Sequence, residues 1–156
     1  MIRVLFICLG NICRSPMAEA VFRNFVIKEG LSDKIEVDSG GIGDWHAGNL
    51  PHKGTRALLD KHNMEYSGMK ARQVVKKDLD DFDYMIAMDD QNLQDLAKIN
   101  DKIENITIAK LMDFVAEPET QNVPDPYFTG DFDYTFQLVS EGCKNLFTYI
   151  KNKHNI

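Results

Sequence analysis

Cys8 and Arg14 lie six positions apart in the run Ile7-Cys8-Leu9-Gly10-Asn11-Ile12-Cys13-Arg14-Ser15-Pro16. A thiolate is a nucleophile toward tetrahedral and trigonal centres. A guanidinium is a planar fork that matches two oxygens of a phosphate-like group. A short loop joining the two reads as a trap for a tetrahedral oxyanion, with the nucleophile at its floor. Gly10 reads as the point where the chain turns with its backbone close to a ligand. Asn11 and Ser15 read as holding the loop's shape, and the Ser15 hydroxyl is placed to donate to the Cys8 sulfur. The segment lacks the Gly-Lys-Ser/Thr of a nucleotide-binding phosphate loop, which has no use for a thiol.

The flanking elements give the loop its meaning. Alone, a cysteine at a strand end is a small core residue, and an arginine near a helix start is solvated. Here Ile2 to Ile7 reads as a fully buried strand. Pro16 to Lys28 reads as a helix, with Ser15 as N-cap, Pro16 in the first turn and Glu19 near the positive end. Gly30 stops it. In an open parallel sheet, ligands bind beyond the carboxyl ends of the strands, where Cys8 would stand. Loop N–H groups and a helix N-terminus both favour an anion there, the thiolate included.

An acid for the second half of the chemistry must come from elsewhere, because a carboxylate inside the anion loop would repel substrate. Expulsion of an alkoxide or phenoxide requires that acid to protonate the leaving oxygen. Asp125, in Val123-Pro124-Asp125-Pro126-Tyr127-Phe128, is the candidate. Two prolines fix the backbone around it, and Tyr127 and Phe128 supply aromatic walls. Taken alone, Pro-Asp-Pro is a turn; beside Cys8 and Arg14 it reads as a positioned acid. Asp78, Asp80, Asp81 and Asp83 read as a solvated face, and Asp89 and Asp90 as the cap region of a helix.

Around these residues the pattern alternates. Ile35-Glu36-Val37-Asp38 reads as a second strand, entering the glycine-rich loop Ser39 to Trp45. Lys53 to His62 reads as a helix, Asp83 to Ala87 as a third strand, Asp89 to Ile99 as its helix, and Ile106 to Ala109 as a short fourth strand. Val115 to Pro126 reads as loop, punctuated by Pro118, Pro124 and Pro126. Asp131 to Lys151 reads as a helix with Phe132, Phe136, Val139, Cys143, Leu146, Phe147 and Ile150 on one face. Strands alternating with helices imply an α/β fold with a parallel sheet and right-handed crossovers.

Composition narrows the classes. At 156 residues the expectation is one domain over 1–156. Lys and Arg total 18 against 24 Asp and Glu, a formal charge of -6, so the basic excess of a nucleic-acid binder is missing. Any anion must be held by a local field. No apolar stretch approaches bilayer length, and the apolar start is too short for a signal peptide, so the expected setting is cytoplasmic with no membrane partner. Three cysteines do not make a disulfide scaffold. His46, His52, His62 and His154 lack zinc spacing; no metal or cofactor is expected.

With Cys8 to Ala20 and Asp125-Pro126-Tyr127 in hand, the chain resembles the low-molecular-weight protein tyrosine phosphatases. Asp38-Ser39-Gly40, Asp44-Trp45, Ala71-Arg72-Gln73, Phe82-Asp83-Tyr84 and Met88-Asp89 follow in family order. The resemblance implies a three-layer sandwich around a four-stranded parallel sheet. It implies Cys8 as nucleophile, Arg14 as transition-state clamp and Asp125 as acid, then base. It implies that the loop from Leu9 and Gly10 to Cys13 binds the phosphoryl group. Asn11, Ser15 and Ser39 fall in the network that shapes the loop, and Ile12, Trp45, Tyr127 and Phe128 surround the substrate ring. Tyrosine-phosphorylated proteins are the implied partners and inorganic phosphate the product.

Two relatives of the fold compete. Arsenate reductases need extra cysteines after the third strand, and Lys76 to Ile99 contains none. Arginine phosphatases carry Thr where this chain has Ile12; an apolar side chain there suits an aromatic ester. Some members have His just before Lys70-Ala71-Arg72, where this chain has Met69, which leaves the group that completes the network around Asn11 to be found. Cys13 has two readings, a partner that shelters an oxidised Cys8 as a disulfide or a buried structural thiol.

Overall fold

The computed structural model describes residues 1–99 and 105–156. Strand β1 (Ile2–Cys8) lies inside a four-stranded parallel sheet, flanked by β2 (Ile35–Gly41) and β3 (Tyr84–Ala87), with β4 (Thr107–Lys110) beyond β3. Val4 stands level with Val37 on one side and Tyr84 on the other. β1 is apolar on both faces because both are covered, as parallel sheets require. Val4, Phe6 and Cys8 point into a core shared with α1 (Arg14–Lys28) and α6 (Phe132–His154). Leu5 and Ile7 point the other way, toward Val74, Phe82, Met85 and Leu96, the last carried by α4 (Asp90–Ala97). The result is the expected three-layer sandwich.

The first layer is stitched by edge-to-face rings. Phe6 and Phe22 lie 5.5 Å apart between centroids, and Phe22 and Phe147 lie 5.7 Å apart. On α6, Leu138, Val139, Cys143, Leu146, Phe147 and Ile150 are buried at helical spacing. Gly142 lets that helix sit close: a Cβ there would lie 2.5 Å from Leu111 Cγ.

The strand order places the chemistry. From β1 the chain crosses to β2 on one side, and later returns to β3 on the other. The crossovers diverge at the carboxyl end of β1, which opens a crevice there. Cys8 is the last residue of that strand.

Several boundaries differ from expectation for identifiable reasons. α1 begins at Arg14, preceded by Cys13 with no side-chain cap; the expected cap, Ser15, spends its hydroxyl on Cys8 and Asn11. β2 runs on through Ser39, Gly40 and Gly41, because these pair with Phe6, Ile7 and Cys8. The acidic run is not simply a solvated face. It forms α3 (Asp78–Asp81), and Asp78 is buried, accepting from Val75 N at 2.8 Å and from the Arg72 guanidinium. Asp83 accepts from Arg3 N. Pro126 opens the short α5 (Pro126–Thr129), where a proline at the first position costs nothing. α2 (Lys53–Lys61) is capped by His52, whose Nδ1 accepts from Gly54 N. Among the described residues no helix is long and apolar enough to cross a membrane.

Candidate active site

Between Cys8 and Arg14 the backbone turns its carbonyls outward. Cys8 O accepts from Ile42 N at 2.9 Å, Leu9 O from Gly43 N at 3.0 Å, and Ile12 O from His52 N at 2.7 Å. Cys13 O accepts from Thr55 Oγ1 at 3.1 Å. Among the described residues, the N–H groups of Leu9 to Cys13 donate to no protein acceptor. Successive N–H groups left free in this way form an anion-binding nest.

The turn itself falls at Asn11, not at Gly10 as the sequence suggested. Asn11 has φ of +58°, a left-handed conformation that costs a non-glycine residue about 1 kcal/mol. Its side chain holds it there. Nδ2 donates to Ser15 Oγ at 2.8 Å and to Ser39 Oγ at 2.9 Å, and Oδ1 accepts from Arg72 N at 3.0 Å. Gly10 serves a different purpose: a Cβ there would meet His46 Cδ2 at 2.9 Å. Gly41 lets β2 pass under the loop, since its Cβ would press on the Gly10 carbonyl carbon at 3.0 Å.

Cys8 Sγ lies 3.0 Å from Ser15 Oγ. Arg14 is 2 % exposed and its guanidinium is shared among several groups. Nη1 donates to Asp89 Oδ2 at 2.6 Å and to Val123 O at 2.9 Å; Nη2 reaches Asp125 Oδ2 at 3.3 Å. Burial opposes its charge, but Cys8, Asp89 and Asp125 together outweigh that and raise its pKa. Nε is buried without a hydrogen-bond partner. Thus the Nε–Nη2 edge of the fork carries one unspent N–H and one long contact.

Asp125 caps α5, its Oδ1 accepting from Tyr127 N at 3.0 Å. It lines a pocket of about 210 Å³ with Cys8, Leu9, Gly10, Ile12 and Cys13, under walls formed by Trp45, His46, Tyr127 and Phe128. Trp45 is 67 % exposed and Phe128 73 %, so these rings form an open rim and not a core. Burial, with help from Cys8 and Asp125, pushes the Cys13 thiol up to about 12. Asn11, Ser15 and Ser39 do not line the pocket; they are buried beneath the loop.

Residues 3–155 match the family described as low molecular weight phosphotyrosine protein phosphatase. The chain belongs to this family. The low molecular weight protein-tyrosine-phosphatase YfkJ of Bacillus subtilis is 49% identical over 156 residues, covering 100% of both chains. PtpA of Staphylococcus epidermidis is 44% identical over 156 residues, covering 100% of this chain and 98% of its own. The crystal structure of YfkJ superimposes with a TM-score of 0.95 at 50% identity, over 98% of this chain and 96% of that one. A Drosophila arginine phosphatase, DARP, superimposes with a TM-score of 0.87 at 32% identity, over 95% of this chain and 97% of its own.

Four further side chains hold the site in ways the residue pattern alone does not show. Asp89 was read only as a cap. It does cap α4, Oδ1 accepting from Asn92 N at 2.8 Å, but Oδ2 also holds Arg14. Glu19 was assigned to the helix dipole; it is buried and accepts from Ser39 Oγ at 2.6 Å. Arg23 had no assignment, yet it donates to Glu19 and to Val37 O. His46 lies against the loop and lines the pocket. Asp89 and Glu19 had a signal, their places in the Met88-Asp89 pair and in the run from Cys8 to Ala20. The Met69 side chain offers no donor; the backbone N–H of Arg72 and the Glu19 carboxylate complete the network around Asn11 and Ser39.

Proposed function

We propose that this chain hydrolyses phosphotyrosine in proteins through a phosphocysteine on Cys8. The observation that carries the proposal is the buried, unpartnered Nε of Arg14 beside a loop whose own N–H groups are unspent. Leaving a buried donor unmade costs about 1–3 kcal/mol, a cost that an equatorial phosphoryl oxygen removes.

Phosphate sits on the loop with its three equatorial oxygens taken by loop N–H groups and the Nε–Nη2 edge of Arg14. The Cys8 thiolate attacks phosphorus in line. The S–P bond forms as the P–O bond to the phenol breaks, and protonated Asp125 delivers its proton to the leaving oxygen. Asp125, now a carboxylate, takes a proton from the water that cleaves the S–P bond. Inorganic phosphate and the thiolate are regenerated, with no metal in either step. Use of one carboxyl in both directions predicts a mildly acidic optimum. Ile12, Trp45, Tyr127 and Phe128 flank the ring, and a single domain over 1–156 carries every part, acting on tyrosine-phosphorylated proteins in the cytoplasm.

Protein arginine phosphatase is the second reading, favoured by the likeness to DARP. The apolar side chain of Ile12 at the pocket argues for the aromatic ester. Matched phosphotyrosine, phosphoarginine and phosphoserine peptides, assayed for phosphate release, separate the readings. Phosphotyrosine should give the highest kcat/KM, and phosphoserine next to none. Faster release from phosphoarginine would overturn the assignment.

A further inference from the structure

Behind the loop, opposite the pocket, hydrogen bonds run in one line from Arg23 to the nucleophilic sulfur. Arg23 Nη2 donates to Glu19 Oε2, Ser39 Oγ donates to Glu19 Oε1, Asn11 Nδ2 donates to Ser39 Oγ and to Ser15 Oγ, and Ser15 Oγ meets Cys8 Sγ. The hydrogens can be counted along it. An ionised carboxylate only accepts, so the Ser39 hydrogen is committed to Glu19. The Ser39 oxygen must then accept, which requires Asn11 to present its NH2. Arg72 N, donating to Asn11 Oδ1, enforces the same orientation from the other side. Both Asn11 amide hydrogens are now used, and Ser15, already an acceptor, has its own hydrogen left for Cys8. The chain is polar in one sense only, and the sense is set from two sides, by Glu19 at its far end and by Arg72 N at Asn11.

We propose that Arg23 is a positioning residue: by holding Glu19 ionised and in place, it fixes the direction of this relay so that Ser15 donates to the Cys8 thiolate. The proposal rests on the phosphatase reading and deepens it. Arg23 touches neither the pocket nor the loop, and a third of its side chain is in solvent. Burial holds the Glu19 carboxyl above its ordinary value on balance, with a smaller push from Asp38, while Arg23 and the Ser39 hydrogen bond pull it back down. Glu65 and Lys70 border the polar cavity onto which Glu19 and Arg23 open, and the Met69 side chain beside them offers no donor. On the other end, Arg14, Asp125 and the protonated Cys13 face Cys8. Without Arg23, Glu19 takes a proton or turns away, Ser39 regains a free hydrogen, and Arg72 N alone is left to hold Asn11 and, through it, Ser15.

The test is the rate of Cys8 alkylation by iodoacetamide against pH, with Cys8→Ser as blank, in wild type, Arg23→Met, Arg23→Lys and Glu19→Gln. Arg23→Met should move the profile toward higher pH by about half a unit, roughly a threefold loss of reactive sulfur on its rising limb. Arg23→Lys should restore most of it, and Glu19→Gln should reproduce the loss. Arg23→Met should also lower the melting temperature by a few degrees, since the buried Glu19 and Val37 O each lose a donor, and alkylation is read well below the melt of each variant. Superimposable profiles for wild type and Arg23→Met would overturn the proposal, as would a Lys variant no better than Met. Alkylation needs no substrate, so failure here is distinct from failure of the peptide panel.

Discussion

At the scale of single residues, a buried guanidinium decides the energetics. Arg14 is almost wholly removed from water, and a buried charge costs several kcal/mol unless it is paired and hydrogen-bonded. Asp89 and Val123 O repay that on one side of the fork, which leaves the other side for Asp125 and an anion. Asp125 is therefore placed twice, by the Tyr127 N–H through one oxygen and by Arg14 through the other. Asp125→Ala should lower kcat by roughly a hundredfold or more for phosphotyrosine, in the range for a lost general acid. The loss should be smaller for p-nitrophenyl phosphate, whose leaving group needs little protonation. A series of aryl phosphates measures this as a steeper dependence on leaving-group basicity. Equal slowing across the series would assign the acid to another group.

At the scale of elements, the segment Ala71-Arg72-Gln73 shows how two roles can share one residue. The Arg72 backbone N–H orients Asn11, while its side chain bonds Asp38 and the buried Asp78. Arg72→Met keeps the first role and removes the second. It should destabilise the fold by about 1–3 kcal/mol, because Asp78 is left under-paired. The kcat/KM should stay within about threefold of wild type, since the backbone bond survives. Thermal melts and steady-state assays check the pair; a collapse of activity with an unchanged melt would contradict the split. The same segment marks what was legible in the sequence. The strand-loop-helix around Cys8 was readable because its signals are local: an apolar run, then Gly and Asn, then Ser-Pro. The buried Asp78 and the short helix over the acidic run were not, because their cause is Arg72, which is distant in pattern if not in number. The turn was assigned to Gly10 for its permissive backbone, whereas Asn11 bears the positive φ and is repaid by three side-chain bonds invisible to composition.

At the scale of the whole molecule, the sheet order brings residues 8, 14, 39, 89 and 125 to one end of β1. Alternating strands and helices made the parallel sheet and its layers legible, and the rule that ligands bind at carboxyl ends made the location legible. Which distant acid meets Arg14 was half legible: Asp125 stood out between prolines, but Asp89 was hidden inside an ordinary cap. The packing also sorts the three thiols. Cys8 opens to the pocket, Cys13 is pushed up to about 12 by burial first and neighbouring charge second, and Cys143 is wholly buried on α6 and raised by that burial. One equivalent of iodoacetamide should therefore enter the native chain at neutral pH, slowed by inorganic phosphate, against three in denaturant. Labelling of Cys13 first would contradict this order. The central claim is a phosphoryl group carried on one sulfur. Rapid acid quench of the enzyme during turnover of p-nitrophenyl phosphate, followed by mass spectrometry of the peptide that contains Cys8, tests it directly. The predicted result is a peptide heavier by one phosphoryl group and absent in Cys8→Ser; turnover at full rate in Cys8→Ser, or a phosphoryl group on any other residue, would contradict it.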